Sequence, residues 1–243
     1  MMQLTVLGKY GTFPAAGGAC SGYLLEREGK FVLLDCGNGV MSRLQAYCPL
    51  EKLEAVVITH LHDDHAGDLR ILKYAIETKR AFGTMDHRLK VYMPEEPEDL
   101  FRGLAYPEAF DMASIEAGSV IRVAGMIFSF APMRHSIPCY AISAEADGKK
   151  LVYSGDTVFH DGLIEFARAA DLFLCEASTA VPGPVPTPHM SASETGRAAR
   201  DAEVRRLLLT HLWCEEDAGR CVAEARVYFA QAESAEELRT YSI

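Results

Sequence analysis

Three histidines and two aspartates crowd into His60-Leu61-His62-Asp63-Asp64-His65, directly after the apolar run Ala55-Val56-Val57-Ile58. Imidazole nitrogens suit divalent transition metals, and a carboxylate adds charge neutralisation and a proton acceptor. His60 and His62 stand two apart, so extended or loop backbone aims both at one point. His65 lies three beyond His62 on what reads as the start of a helix, from which it turns to a neighbouring point. The motif therefore demands a buried strand that ends at a metal site, and the rest of the chain has to complete that site.

Polar residues follow other apolar strands in the same manner. The pattern predicts strands over Gln3–Leu7, Tyr23–Arg27, Lys30–Leu34, Ala55–Thr59, Lys90–Met93, two within Val120–Met133 broken at Gly125, Cys139–Glu145, Lys150–Ser154, Leu172–Cys175 and Arg206–Thr210. Helices are expected over Val40–Tyr47, Asp68–Arg80, Glu95–Leu104 (just after Pro94), Gly162–Ala170, Ser191–Arg200 and Glu216–Ala230. The tail after Gln231 is polar and reads as surface. The loop Gly8 to Gly22 lacks the spacing of a phosphate-binding P-loop and reads as an irregular turn. No linker, repeat or charge block divides the chain, so one domain over residues 1–243 is expected, with two sheets between helix layers.

Composition narrows the function classes. A net charge of −10 is unsuited to a sequence-independent grip on nucleic acid, which rests on Lys and Arg neutralising phosphates. Seven cysteines without a Cys-x-x-Cys form neither a disulfide framework nor a zinc ribbon, and point to a reducing compartment. No apolar run approaches the ~18 residues of a membrane span, and the first strand begins at once, so a cytoplasmic protein is expected.

Ligand-type residues at strand ends converge on one edge of a sheet, where rigid backbone holds them. Asp35, the His60–His65 cluster, His135, Asp156, Glu176 and His211 all occupy such places. Asp35 is expected to support the ligands rather than join them, with Thr59 and Asp68 as further supports. His87 and His160 read as ordinary polar histidines.

His60-x-His62-x-Asp64-His65, then His135, Asp156 in Ser-Gly-Asp-Thr and His211 in Leu-Thr-His resemble the five motifs of the metallo-β-lactamase superfamily, nearly end to end from Leu4 to about His211. Glu176 in Cys-Glu-Ala-Ser-Thr and His189 in His-Met-Ser-Ala make it similar to that superfamily's ribonuclease Z branch of phosphodiesterases. The resemblance implies an α/β fold, a four-layer αββα sandwich of two mixed sheets flanked by helices. It implies two divalent metal ions, zinc first, with manganese or iron also accepted by such donors. His60, His62 and His135 would hold one ion, Asp64, His65 and His211 the other, and Asp156 would bridge them. Catalysis would pass through a metal-bound hydroxide, with Asp64 as proton acceptor and His189, oriented by Glu176, assisting the leaving group.

The branch's tRNA-processing enzymes carry a long arm between the third and fourth motifs. Here His135 and Asp156 are bridged by one tight hairpin turning at Asp147-Gly148, so a small anionic phosphodiester, cyclic or open, is the expected substrate, with short RNA as the nucleic-acid option. A lactonase or thioester hydrolase of the same fold is the alternative enzyme, and a metal-binding scaffold or sensor the non-enzymatic one. A homodimer follows from the resemblance alone, and no membrane partner is expected.

Overall fold

The computed structural model describes residues 1–243. The first half of the chain is β1 (Gln3–Gly8), β2 (Gly22–Arg27), β3 (Lys30–Leu34), α1 (Val40–Leu44), β4 (Leu53–Val57), α2 (Asp63–Ala66), α3 (Leu69–Ala81), β5 (Leu89–Met93), α4 (Glu98–Leu104) and β6 (Phe110–Ser114). The second is β7 (Val120–Val123), β8 (Met126–Met133), β9 (Cys139–Ala146), β10 (Lys149–Tyr153), α5 (Asp161–Ala167), β11 (Leu172–Glu176), α6 (Ala192–Asp201), β12 (Leu207–Thr210), α7 (Ala218–Arg226), β13 (Ala232–Ser234) and β14 (Thr240–Ser242).

Two seven-stranded mixed sheets result, in the orders β14-β1-β2-β3-β4-β5-β6 and β13-β12-β11-β10-β9-β8-β7. In the first, β3 to β6 run parallel while β14, β1, β2 and β3 alternate in direction; in the second, β10 to β13 run parallel and β7 to β10 alternate. Parallel strands need crossovers, and the helices that make them cover the outer faces.

Strand period decides which side chain meets which layer. On β4, Ala55 and Val57 enter the apolar layer between the sheets, while Val56 faces α1 and α3. On β11, Leu172 and Leu174 pack between the sheets, whereas Phe173 and Cys175 pack under α5, α6 and α7. Three apolar layers therefore separate four layers of secondary structure, the αββα sandwich that the motifs implied. No helix is long and apolar enough to cross a membrane.

Four local expectations need correction. The tail is not free surface: Ala232–Ser234 joins β12 in parallel, and Thr240–Ser242 pairs antiparallel with β1, placing Leu4 opposite Tyr241. Tyr241 and Ala235 are buried, because each sheet's edge strand offers unpaired backbone that a short polar segment can satisfy. The helix expected from Glu95 begins at Glu98, since the extended Pro97 precedes its first turn. The helix expected from Glu216 to Ala230 spans only Ala218–Arg226, opened by Asp217, whose side chain accepts from the amides of Gly219 and Arg220. Phe110–Ser114 is a strand with no sequence forecast; its mostly exposed Asp-Met-Ala-Ser gives an edge strand little apolar signature.

Candidate metal centre

β4 ends at Val57, and Ile58–Leu61 continue past the sheet's edge before His62, in extended conformation, opens α2. His60 Nε2 lies 3.1 Å from His62 Nδ1, and His135 Nε2, delivered by the end of β8, lies 3.2 Å from the same atom. Ligands 2.0–2.1 Å from a tetrahedral ion stand roughly 3.3 Å apart, so the three nitrogens have the separation of a shared cation. Burial first, and neighbouring imidazoles second, hold His60 well below the usual histidine range; burial likewise lowers His62 and His135. Burial thus favours the neutral, ligating form of all three rings.

Asp64, His65 and His211 form a neighbouring group. His211 Nε2 is 3.3 Å from Asp64 Oδ2 and 3.3 Å from Asp156 Oδ2. Asp156 lies between the two groups, with Oδ1 3.3 Å from His65 Nε2 and Oδ2 3.8 Å from both His60 and His135 Nε2. His65 Nε2 and Asp156 Oδ1 are buried without a hydrogen-bond partner, since their approach lacks the alignment of one. Burial disfavours the charged His65, but Asp156, Asp64 and Asp35 outweigh it and raise the imidazole well above its ordinary range.

The outer nitrogens are fixed by the fold. His65 Nδ1 donates to Asp35 Oδ2 at 2.7 Å, which turns Nε2 inward. Asp35 also accepts from the Thr59 amide at 2.8 Å and the Thr59 hydroxyl at 2.9 Å, and that hydroxyl lies 3.1 Å from His60 Nδ1. One buried carboxylate therefore orients a histidine in each group, as support and not as a member of either. His135 Nδ1 donates to Pro188 O at 3.1 Å, so the proline-rich loop holds a histidine from the opposite side. Asp68 does not share this work: its carboxylate accepts from the Met41 amide at 2.9 Å, capping α1 away from the cluster.

Glu176 ends β11 fully buried. It accepts from the amide of Thr157 at 2.5 Å and of Met190 at 3.1 Å, binding together the residues that follow Asp156 and His189. His189 Nδ1 lies 3.3 Å from Glu176 Oε2 and 3.7 Å from Asp156 Oδ2. Burial lowers the His189 pKa, but the bond to Glu176 and the charges of Glu176 and Asp156 overcome it, pushing the ring up to about 9. Its ring stacks on His211 at 5.2 Å between centroids. His87 instead pairs with Asp86 at the surface, and His160 sits at the start of α5, outside every ligand group.

A model of the β-lactamase superfamily domain matches residues 30–212. The chain belongs to this superfamily. The probable metallo-hydrolase YhfI of Bacillus subtilis is 34% identical over 212 residues, covering 87% of each chain. The crystal structure of that metallo-β-lactamase fold protein superposes with a TM-score of 0.94 at 31% identity, over 99% of this chain and 98% of the other. A ribonuclease Z of Methanosarcina acetivorans is 26% identical over 271 residues, 87% of this chain and 88% of its own. A diphosphatase of the PhnP family shares the fold, with a TM-score of 0.80 at 20% identity over 100% and 98% of the two chains.

The superfamily's metal chemistry fits the residues present. The converging imidazoles, and the buried pair His65 Nε2 and Asp156 Oδ1 that lacks a hydrogen bond, are groups able to hold a cation, His65 by giving up its proton. Two contributors escaped the motif pattern. A Cβ on Gly11 would lie 2.0 Å from His211 Cε1, so the glycine-rich loop is no loose turn but a wall against that ring. Ser178 Oγ lies 3.3 Å from His211 Nδ1 and donates to Glu176 Oε2 at 3.2 Å, linking the two. The clustering of glycines was the only available signal for the first; a serine two residues after Glu176 carries none.

Proposed function

We propose that this chain is a metal-dependent phosphodiesterase, acting as one catalytic unit on a small or cyclic phosphodiester or a short nucleic acid. The observation that carries the proposal is His189, poised over Asp156 and held at Nδ1 by the buried Glu176. An ester or lactone releases its leaving group from a carbonyl tetrahedral intermediate, whereas a phosphodiester with a poor alkoxide leaving group gains directly from a positioned acid. The ribonuclease in the name of the Methanosarcina protein supports the same class, and the diphosphatase in that of the PhnP-family protein supports hydrolysis at phosphorus.

In this proposal His60, His62 and His135 would hold one divalent cation and Asp64, His65 and His211 a second, with Asp156 between the two groups. Zinc suits this donor set, as do manganese and iron. Bound there, the cations supply Lewis acidity and acidify water. The chain's own residues do the rest. Asp64 accepts the attacking water's proton. His189, fixed through Nδ1 by Glu176, gives a proton from Nε2 to the departing alkoxide.

Size is limited by the chain as well. Between β8 and Asp156 there is only the β9–β10 hairpin, closed in register from Lys149 opposite Ala146. No arm projects there to grip a folded tRNA, and the net charge of −10 offers no basic surface in its place. Seven unpaired cysteines support a reducing compartment such as the cytoplasm.

The test compares hydrolysis of bis(p-nitrophenyl) phosphate with that of a lactone and a thioester, alongside metal analysis of the same sample. Faster turnover of the diester is expected. The reverse order would give the site to carbonyl substrates.

A further inference from the structure

Beside His189 lies a second feature, a cavity of about 190 Å³ between the proline-rich loop and the start of α6. It is smaller than the roughly 300 Å³ at which whole-ligand pockets begin, so it takes part of a substrate. His189 forms one wall; Thr179, Thr187, Pro186 and Glu194 are among the others. No lysine or arginine lines it.

A helix start is ordinarily an attractive place for phosphate. Here it is already taken. Ser191 accepts from the Glu194 amide, while Glu194 Oε2 accepts from the Ser191 amide at 2.9 Å and its hydroxyl at 2.7 Å. The reciprocal cap neutralises the end of the helix and leaves the cavity with a carboxylate.

Resting on the phosphodiesterase proposal, we infer that this cavity receives the alcohol leaving the phosphorus, and that it takes an uncharged, hydroxylated group of about one sugar ring. His189 reaches the departing oxygen from the wall, the Thr187 hydroxyl and Thr179 Oγ1 (which donates to Val181 O at 3.0 Å and is left to accept) serve its hydroxyls, and Glu194 repels a leaving group that carries its own phosphate. Cleavage inside a longer polynucleotide is thereby disfavoured, because the departing nucleoside would bring the next phosphate against Glu194. The substrate class narrows to small diesters and those with a terminal, uncharged leaving alcohol.

The decisive comparison uses metal-loaded protein and two diesters, glycerol-phosphate-glycerol and the same compound phosphorylated at both ends. Wild type should favour the unphosphorylated diester at least roughly tenfold in kcat/KM, as a like charge in a partly enclosed site demands. Glu194→Gln keeps the capping pattern, so its melting temperature should hold while that preference falls at least fivefold through a lower KM for the phosphorylated diester. No preference in wild type, or an unchanged preference in Glu194→Gln, overturns the inference. If neither diester is cleaved, the phosphodiesterase proposal fails, and the cavity's selectivity is decided by methyl NMR of Thr179, Val185 and Thr187 in the same protein. Shifts with glycerol but not with glycerol 3-phosphate sustain the selectivity; no shifts, or equal shifts with both, overturn it.

Discussion

The hydroxyl of Tyr153 donates to Asp35 Oδ2 at 2.7 Å, so a strand of one sheet fixes the carboxylate that orients a histidine of the other. Tyr153 is fully buried and packs edge-on against Tyr23, 4.8 Å between ring centroids. The Tyr23 hydroxyl in turn bonds Thr210 Oγ1 at 2.7 Å, immediately before His211. Two buried hydrogen bonds, joined by the contact of the two tyrosine rings, therefore link His65's partner Asp35 to the strand that delivers His211, across the apolar layer between the sheets.

Tyr153→Phe removes one donor and keeps the ring. A hydrogen bond to a charged group contributes about 1.5–3 kcal/mol, and outer partners of metal ligands change affinity about 10- to 100-fold. Urea denaturation should show the first loss, and competitive zinc titration should show weakening at the Asp64, His65 and His211 group. Unaltered zinc affinity would leave Tyr153 with a packing role alone.

His62→Ala deletes the nitrogen on which His60 and His135 converge at 3.1 and 3.2 Å. Bound metal and activity should fall together in plasma emission analysis and diester assays. Full metal content would overturn the assignment of His62 as a ligand.

His189→Ala should retain its metal and lose roughly 10²- to 10⁴-fold in kcat on alkyl diesters, the usual worth of a positioned acid. The loss should be smaller with p-nitrophenolate, which departs without a proton. Equal losses on both substrates would contradict proton donation.

In metal-free protein His189 should titrate near pH 9, against 6.5 for the free side chain. With Glu176→Gln, burial is opposed by the charge of Asp156 without that of Glu176, and the value should fall. Because the folded value is raised, the stabilisation from the His189 charge is fully present below pH 6.5 while Glu176 stays ionised, and fades as pH rises through about 9. Ring-proton NMR across that window checks both values.

Gly11→Ala places a methyl group 2.0 Å from His211 Cε1. Overpacking of this kind costs about 1–3 kcal/mol, and the imidazole has to move. Thermal melts should register the cost, and metal should be lost from the group containing His211 before the group containing His60.

The fold and the candidate ligands were legible in the sequence because both are written in local chemistry. Apolar runs of strand length ending in His, Asp or Glu announce a sheet edge carrying ligand-type residues, and His60 to His65 announces it within one turn. Asp35, Glu176 and His189 were legible for the same reason, each standing at a strand end or beside a breaker. The tertiary structure alone decided the rest. That Tyr153 bonds Asp35, that Gly11 walls His211, and that Ser178 joins Glu176 to His211 are contacts across 118, 200 and 33 residues of chain. The tail's two strands were equally hidden, since a polar segment joins a sheet edge through its backbone, which every sequence shares. The His60 cluster by itself marks a place able to hold a cation; which nitrogen each ring turns inward, and what lies beside His189, is settled only where distant strands meet.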